Sequence, residues 1–386
     1  MPKRAPRHGD ATGAADPGPS ASASASASAS ESGNGGGGRG GRIKRGTIKE
    51  VAARAGVSPA TVSRVMGGTY PVAPATRKRV QRAMHELDYV VNAYARALVA
   101  ETSNTVAFVL DDVTGPFFAH IARGVEQQAS AEGRVCLVCA THGDPDRELA
   151  VINLMRQQRA EAVILVGGAR SAPDYTERMV RLARSLDAAG SRLVLCGRPS
   201  LGEDVPETVV EYDNEGGAFA MTSYLLSAGH ERIVLLGTLE GLSTSNERVA
   251  GYERALRSRG VPVDPELIVP GDFNREVGRR ATLELIARGV DFTAIFAMTD
   301  MVAAGVLQAL RESGLRVPQD VSVVGYDDIP LSMDLVPALT TVHIPHEELG
   351  RTAVRLALRR EEYAGGQRVK LGTHVVVRDS AAPVHG

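Results

Sequence analysis

The sequence predicts an all-α N-terminal head followed by an α/β core of two doubly wound parallel-sheet subdomains. Residues 47–66, TIKEVAARAGVSPATVSRVM, have the pattern of a helix-turn-helix, and from Val106 onward apolar strands alternate with amphipathic helices. Charge is sorted along the chain as well: residues 1–100 carry 15 Lys and Arg against six Asp and Glu, and the remainder carries 29 against 39. A basic first segment ahead of an acidic body indicates that the first segment meets nucleic acid.

The head is predicted from the signals that start and stop its helices. Thr47 and Glu50 have the spacing of a capping box, and Gly56 is a typical helix stop. Ser58 and Pro59 restart the chain as N-cap and first helical residue. A third amphipathic helix, TRKRVQRAMHELDY, follows. Two short helices bury little apolar surface, which favours a second helix placed in a DNA major groove over a small unit that serves only packing.

The core is predicted from nearly continuous apolar strands, which are typical of parallel sheets covered on both faces. This segment is longer than a chain that usually folds around one hydrophobic core, so two subdomains are expected. A ligand cleft is expected at the carboxyl ends of their strands. The predicted strands are VAFVL, VCLVCA, AVILVG, RLVLCG, RIVLLG, AIFAMT and VSVVGY. Polar or aromatic residues fall at the strand ends, namely Asp111, Asp112, Phe117, Phe118, Arg198, Asp213, Asp272, Phe273, Asp300, Asp327 and Asp328.

Composition shifts set the predicted boundaries. Residues 1–45 are a disordered Ala/Ser/Gly-rich tail, 46–91 the head, 92–103 a hinge helix with its linker, and 104–386 the core. Within the core, the prediction groups 104–210 with 326–346 and 211–325 with 347–386.

Several classes of protein are excluded by missing patterns. The sequence has no GxSxG elbow, P-loop, HExxH or dinucleotide glycine fingerprint, so we expect neither an enzyme nor a cofactor. Cys136 and Cys139 form a CxxC inside an apolar run that is interpreted as a buried strand, so core thiols are favoured over a metal site. No apolar run is long enough to span a membrane and MPKRAPRHGD is not a signal peptide, so a cytoplasmic protein is expected.

The order of several fragments resembles the LacI/GalR family of transcription regulators. They are TIKEVAARAGVSPATVSRVM, NAYARAL, DDVTGPFFAHIARGVE, DNEGG, GHERIVLLG, ERVAGYERAL, TDMVAAGVLQAL and VSVVGYDDIPLSMDLVPALTTV. The resemblance implies a DNA-binding head, a hinge helix and a core like that of periplasmic sugar-binding proteins. It further implies a homodimer that binds a pseudo-palindromic operator in double-stranded DNA, usually as a repressor, with an affinity set by a small effector.

The same resemblance implies which residues bind DNA. Pro59, Ala60 and Arg64 match positions facing base edges, and Thr61 and Ser63 match phosphate contacts. The chemistry agrees, because Arg can bind guanine through two hydrogen bonds and short hydroxyls reach phosphate oxygens. The remaining implied contacts are Thr47 and Ser58 in the head and Asn92, Arg96 and Leu98 in the hinge. Leu98 matches a residue that wedges into a base step from the minor groove.

For the effector, the resemblance implies contacts from Phe118, Arg248, Phe273 and Asp300. Phe273 would stack on a pyranose or a planar base, while Arg248 and Asp300 would hold hydroxyls or ring nitrogens. Asp300 is alternatively the N-cap of the helix that follows. Leu242 stands where a purine-responsive relative has an additional Arg, which favours a sugar over a nucleobase. A solute-binding protein and a DNA-binding protein without sequence preference are the competing functions.

Overall fold

The computed structural model describes residues 47–67, 71–89, 103–170, 173–359 and 367–384. They divide into two compact units, one with residues 47–62 and 73–89 and the other with residues 63–67, 71–72 and the described residues from 103 onward. The predicted tail and the hinge segment 92–102 lie outside the described residues.

Three helices form the head: α1 (Ile48–Ala55), α2 (Pro59–Gly67) and α3 (Pro74–Glu86). The predicted capping box is confirmed, because Thr47 Oγ1 accepts from Glu50 N at 3.3 Å and Glu50 Oε2 accepts from Thr47 N at 2.7 Å. Gly56 ends α1 in the left-handed conformation, at φ 64°. An ion pair of 2.7 Å between Arg54 and Glu86 joins α1 to α3. These signals explain why so short a segment folds into three distinct helices.

The first subdomain is built on a six-stranded parallel sheet with the order β11-β5-β4-β3-β1-β2. Its strands are β1 (Thr105–Leu110), β2 (Val135–Ala140), β3 (Ala162–Val166), β4 (Arg192–Cys196), β5 (Glu207–Tyr212) and β11 (Arg368–Leu371). Its helices are α4 (Pro116–Ala131), α5 (Pro145–Gln157), α6 (Pro173–Ala188) and α12 (His346–Leu358). Strands β3 and β4 are buried throughout, as their continuous apolar sequences predict.

The second subdomain is built on a four-stranded parallel sheet with the order β7-β6-β8-β9, beside an antiparallel pair of β10 and β12. The strands are β6 (Ile233–Thr238), β7 (Ile268–Pro270), β8 (Ala294–Ala297), β9 (Ser322–Val324), β10 (Thr341–His343) and β12 (His374–Val376). The helices are α7 (Asn214–Ser227), α8 (Ser243–Ser258), α9 (Arg275–Ala287), α10 (Asp300–Glu312) and the short α11 (Leu331–Asp334). A 3₁₀ turn, Pro265–Leu267, precedes β7. None of the helices described is both long and apolar enough to cross a membrane.

The predicted grouping of the C-terminal segments is wrong except at the end of the chain, where β12 lies in the second subdomain as predicted. Residues 347–386 were expected in the second subdomain, but α12 packs on α4 and β11 pairs in register with β5 in the first. The amphipathic α12 buries Leu349 and Ala353 there. Residues 326–346 were expected in the first subdomain, yet β10 pairs with β12, and Val324 bridges to Thr340 beside the second sheet. The chain therefore passes between the subdomains three times: after β5, between β10 and α12, and between β11 and β12.

Strand β2 also differs from the prediction of a buried strand. It lies at the edge of the six-stranded sheet, and Val135, Leu137 and Val138 are 62%, 41% and 52% exposed. Cys136 and Cys139 are half-buried free thiols, and burial raises the pKa of Cys136 to about 11. A thiol held protonated is a poor nucleophile and metal ligand, consistent with a packing role. The apolar composition of β2 thus marks an uncovered edge, which sequence pattern alone does not distinguish from a core strand.

Candidate functional site

Helix α2 presents a polar and small-residue face to solvent. Pro59, Ala60, Ser63 and Arg64 are exposed, whereas Val62 is fully buried. Because residues three and four positions apart share a helical face, these exposed residues form one continuous surface. That surface is narrow and carries a guanidinium, which suits the floor of a DNA major groove.

The two hydroxyls at the start of α2 already have structural partners. Ser58 Oγ accepts from Thr61 N at 3.1 Å and lies 2.9 Å from Thr61 Oγ1. Ser58 is therefore the predicted N-cap, and Thr47 plays the same part for α1. Any phosphate contact from Ser58, Thr61 or Thr47 would be made by a side chain that the cap holds in place. Asn92, Arg96 and Leu98, the predicted hinge contacts, lie outside the described residues.

A cleft of about 580 Å³ opens between the two subdomains, at the carboxyl ends of both sheets. Phe118 follows β1 on one wall, and Phe273 follows β7 on the other. Of the strand-end residues picked out from sequence, those lining the cleft are Asp111, Asp112, Phe117, Phe118, Arg198, Asp272, Phe273 and Asp327. Three of the four predicted effector contacts, Phe118, Arg248 and Phe273, line it too. The doubly wound topology thus places these side chains around one volume.

Arg248, on α8, is held from several sides. Its guanidinium donates to Asn214 Oδ1 at 2.9 Å, to the carbonyl oxygen of Met298, and to Asp327 Oδ1 at 3.3 Å. It also stacks 3.7 Å from the ring centroid of Tyr326. Only 2% of Arg248 is exposed, so the cation is fixed before any ligand is bound.

Asp300, a predicted effector contact, is not among the residues that line this cleft, and its contact with an effector stays a prediction. It is fully buried, and its carboxylate accepts from Ile329 N at 2.9 Å and from Thr341 Oγ1 at 2.6 Å. It is not the N-cap of α10 either, because Thr299 Oγ1 accepts from Val302 N. Asp300 is thus a structural carboxylate behind the wall of the cleft.

Asp327 and Thr299 stand at the cleft where Asp300 was expected. Burial raises the pKa of Asp327 to about 7, against the opposing effect of the Arg248 cation. Burial and the neighbouring Asp327 together raise the pKa of Asp300. The charge of one carboxylate therefore disfavours ionisation of the other. Sequence reasoning noted Asp327 only as a strand-end residue, and the structure places it three residues after β9.

The wall of the first subdomain is stiffened by a buried ion pair. Arg198 donates to both carboxylate oxygens of Glu148 at 2.8 and 2.7 Å and to the carbonyl oxygen of Gly167 at 3.1 Å. Tyr175 Oη donates to Glu148 as well. Although burial opposes it, the Arg198 cation lowers the pKa of Glu148, so the pair is ionised at neutral pH.

Exposed polar residues that line the cleft include Asp111, Arg170 and Asp272. Burial and the adjacent Asp112 raise the pKa of Asp111. Carboxylates and a guanidinium beside the rings of Phe118 and Phe273 combine hydrogen-bonding groups with flat apolar faces. This combination suits a ligand with many hydroxyls and an apolar ring face.

Two family models match this chain. The model of bacterial regulatory proteins of the lacI family matches residues 47–92, and that of a periplasmic binding protein-like domain matches residues 222–381. The HTH-type transcriptional regulator CelR of Thermobifida fusca is 38% identical over 350 residues, which cover 88% of this chain and 99% of CelR.

Solved structures match over a similar length. A complex of the transcriptional regulator CelR with cellobiose has a TM-score of 0.63 at 35% identity, over 87% of this chain and all of that one. The lac repressor dimer bound to operator and the anti-inducer ONPF has a TM-score of 0.75 at 26% identity, over 88% of this chain and all of that one.

Proposed function

The chain belongs to the lacI family of bacterial regulatory proteins, which are DNA-binding transcription regulators and not enzymes, and from this premise we propose that it is a repressor controlled by a sugar. In this proposal a homodimer binds a pseudo-palindromic operator through α2 of each protomer. A sugar in the cleft between the subdomains then changes operator affinity.

The cleft carries the proposal of a sugar effector. Phe118 and Phe273 supply faces for the C–H side of a sugar ring, while Asp111, Asp272 and Arg170 supply groups that hydrogen-bond hydroxyls. Its volume of about 580 Å³ lies within the range of sites that enclose small organic ligands. The structure of the relative CelR contains cellobiose, which supports a sugar as the effector of this chain. A nucleobase remains the alternative, since Phe273 stacks on planar rings equally well.

The exposed edge of β2 supports the homodimer. Val135, Leu137 and Val138 present apolar side chains beside unpaired backbone groups, an arrangement that proteins ordinarily cover. A second copy of the chain related by a two-fold axis would bring two identical edges together.

The effector is tested by thermal shift of the purified full chain against cellobiose, ribose and a set of nucleobases. A ligand selective for the native state raises the melting temperature, by an amount that grows with concentration above Kd. Phe273→Ala should remove the shift, since it truncates a stacking face without breaking a polar contact. Val336→Ala, at a residue 86% exposed, is the control. A nucleobase shift with no response to any sugar would contradict the sugar assignment.

The operator function is tested by mobility shift at fixed salt with a selected operator and a scrambled site. Arg64→Ala should weaken operator binding by about 1–3 kcal/mol and relax one base position per half-site, because a guanine contact is lost. Arg77→Ala removes an equally exposed cation from α3 and should lower affinity for both DNAs alike. If Arg64→Ala keeps both affinity and base preference, α2 does not read this operator through Arg64. Equal binding of both DNAs by the unmodified chain would favour the nonspecific alternative.

A further inference from the structure

In addition to the three segments of chain that cross between them, the two subdomains are in direct contact at the cleft. The loop after β3 belongs to the first subdomain, and the loop before α8 belongs to the second. Ser243 N donates to the carbonyl oxygen of Ala169 at 3.0 Å, and Ala169 N donates to Ser243 Oγ at 3.0 Å. Arg170 and Leu242 are partners in an antiparallel bridge. This reciprocal pattern is that of a short piece of β-ladder formed across the cleft.

The same loops are packed as closely as their side chains allow. A Cβ on Gly168 would lie 2.7 Å from Leu242 Cδ1 and 2.8 Å from Thr244 Oγ1, so a larger residue would have to displace these side chains. The loop before α8 is itself braced, because Leu239 N donates to Ser245 Oγ at 2.8 Å. Gly168, Arg170, Leu239, Leu242 and Thr244 all line the cleft. Contact between the subdomains is therefore part of the cleft wall.

We propose that residues 168–170 and 242–243 form a clasp that holds the cleft closed without help from a ligand. Its hydrogen bonds are between backbone groups and one serine, so they need no ligand atom to complete them. Opening the cleft would return these groups to water and expose Leu242, which costs free energy. If the cleft is the effector site of the proposed function, the clasp favours the closed state before binding, so less effector binding energy is spent on closure.

Ser243 offers a substitution that breaks the clasp with little harm to its helix. It is the first residue of α8, where proline is favoured, and Leu242 has φ −90° and ψ 122°, which suits a residue before proline. Ser243→Pro deletes the N–H that donates to Ala169 and the hydroxyl that accepts from it. Ser243→Ala deletes the hydroxyl alone. Ser258→Ala, at the other end of α8, removes a hydroxyl bonded only within the helix and is the control.

The test is a disulfide between bridge partners in the ligand-free full chain. Cα atoms of antiparallel partners lie about 4.5–5.5 Å apart, within the roughly 4.4–6.8 Å that a disulfide spans. Arg170→Cys with Leu242→Cys is equilibrated in a glutathione buffer, and the crosslinked peptide is quantified by mass spectrometry. We expect the disulfide to form, and Ser243→Pro in that background to lower its equilibrium constant about tenfold or more, the factor expected for two lost hydrogen bonds. Ser243→Ala should lower it less, and Ser258→Ala should leave it unchanged.

Absence of the crosslink, or equal crosslinking with and without Ser243→Pro, would overturn the clasp. Circular dichroism of each variant separates loss of the clasp from loss of the fold, and Ser243→Ala keeps the test open if the proline variant does not fold. Neither DNA nor sugar enters the measurement. The clasp and the proposed function can therefore fail independently.

Discussion

Replacing Arg248 with alanine should destabilise the core, because it removes the cation that faces a buried carboxyl. Arg248 and Asp327 are 2% and 4% exposed and are joined at 3.3 Å. Removing one partner of a buried ion pair typically costs about 3–5 kcal/mol. Asn214 Oδ1 and the carbonyl oxygen of Met298 also lose their donor. We expect a loss of about 3–5 kcal/mol in the free energy of unfolding, measured by urea denaturation of the full chain.

The loss should depend on pH in a known direction. The pKa of Asp327 is already raised to about 7, and without Arg248 it rises further. A carboxyl whose pKa is higher in the folded than in the unfolded chain destabilises the fold as pH rises through that folded pKa. At pH 6 the unpaired Asp327 is protonated and needs no cation. The stability difference between Arg248→Ala and the unmodified chain should therefore be smaller at pH 6 than at pH 8.

Arg254→Ala is the matched control on the same helix. Arg254 is 53% exposed, pairs with Glu215 at 3.2 Å and stacks on Phe219, so its loss should cost about 1 kcal/mol or less. Arg248→Met with Asp327→Asn, which removes both charges, should recover part of the stability. The argument is refuted if Arg248→Ala costs no more than Arg254→Ala, or costs the same at both pH values. Because the cost is structural, Phe273→Ala tests effector contact more directly than Arg248→Ala does.

Three further outcomes are expected. Asp300→Asn removes a carboxyl whose pKa is raised by burial and by the nearby Asp327. The melting temperature of this variant should therefore fall less steeply from pH 6 to pH 8 than that of the unmodified chain, and identical slopes would contradict this. Leu137→Asp should shift the chain from dimer to monomer in light scattering, whereas Met333→Asp, at a residue 63% exposed, should not. If both variants remain dimeric, the dimer interface does not include β2. Thr47→Ala should cost the head about 1 kcal/mol in a melt followed by circular dichroism, and an unchanged melt would show that the cap contributes nothing.

The sequence predicts element types well where one local signal dominates. Thr47, Glu50, Gly56 and Ser58 act through backbone groups within a few residues, and all four have the predicted roles. All seven apolar segments form strands, although β2 is an exposed edge strand and not a buried one. The prediction missed β5, and it also missed the short strands β7, β10, β11 and β12, since segments of three or four residues carry too little pattern to separate them from loops.

The candidate site was predicted less completely, and Asp300 shows why. Asp300 and Asp327 both follow strands of the second sheet, so pattern places both near the cleft. Their side chains diverge because Thr341, on a strand that sequence did not predict, holds Asp300 behind the wall at 2.6 Å. Asp327 instead meets Arg248 from a neighbouring helix. The hydrogen bond between Thr341 and Asp300, which lie 41 residues apart in sequence, decides where the Asp300 side chain lies, and no local sequence pattern predicts such a contact.

The corrected chain path changes how the cleft relates to the crossing segments. Tyr326, whose ring lies under Arg248, donates through its hydroxyl to the carbonyl oxygens of Asp213 and Asn214 at 3.3 and 3.2 Å. Asp213 begins the crossing after β5, and its carbonyl oxygen also accepts from Thr373 Oγ1, in the crossing between β11 and β12, at 3.0 Å. Two of the three crossing segments are thus hydrogen-bonded to each other at Asp213, and Asp213 is bonded to Tyr326, which stacks on Arg248. A ligand that draws Arg248 or Asp327 toward itself would act on packing that both crossings share, and a packed interior adapts to such a change by discrete repacking.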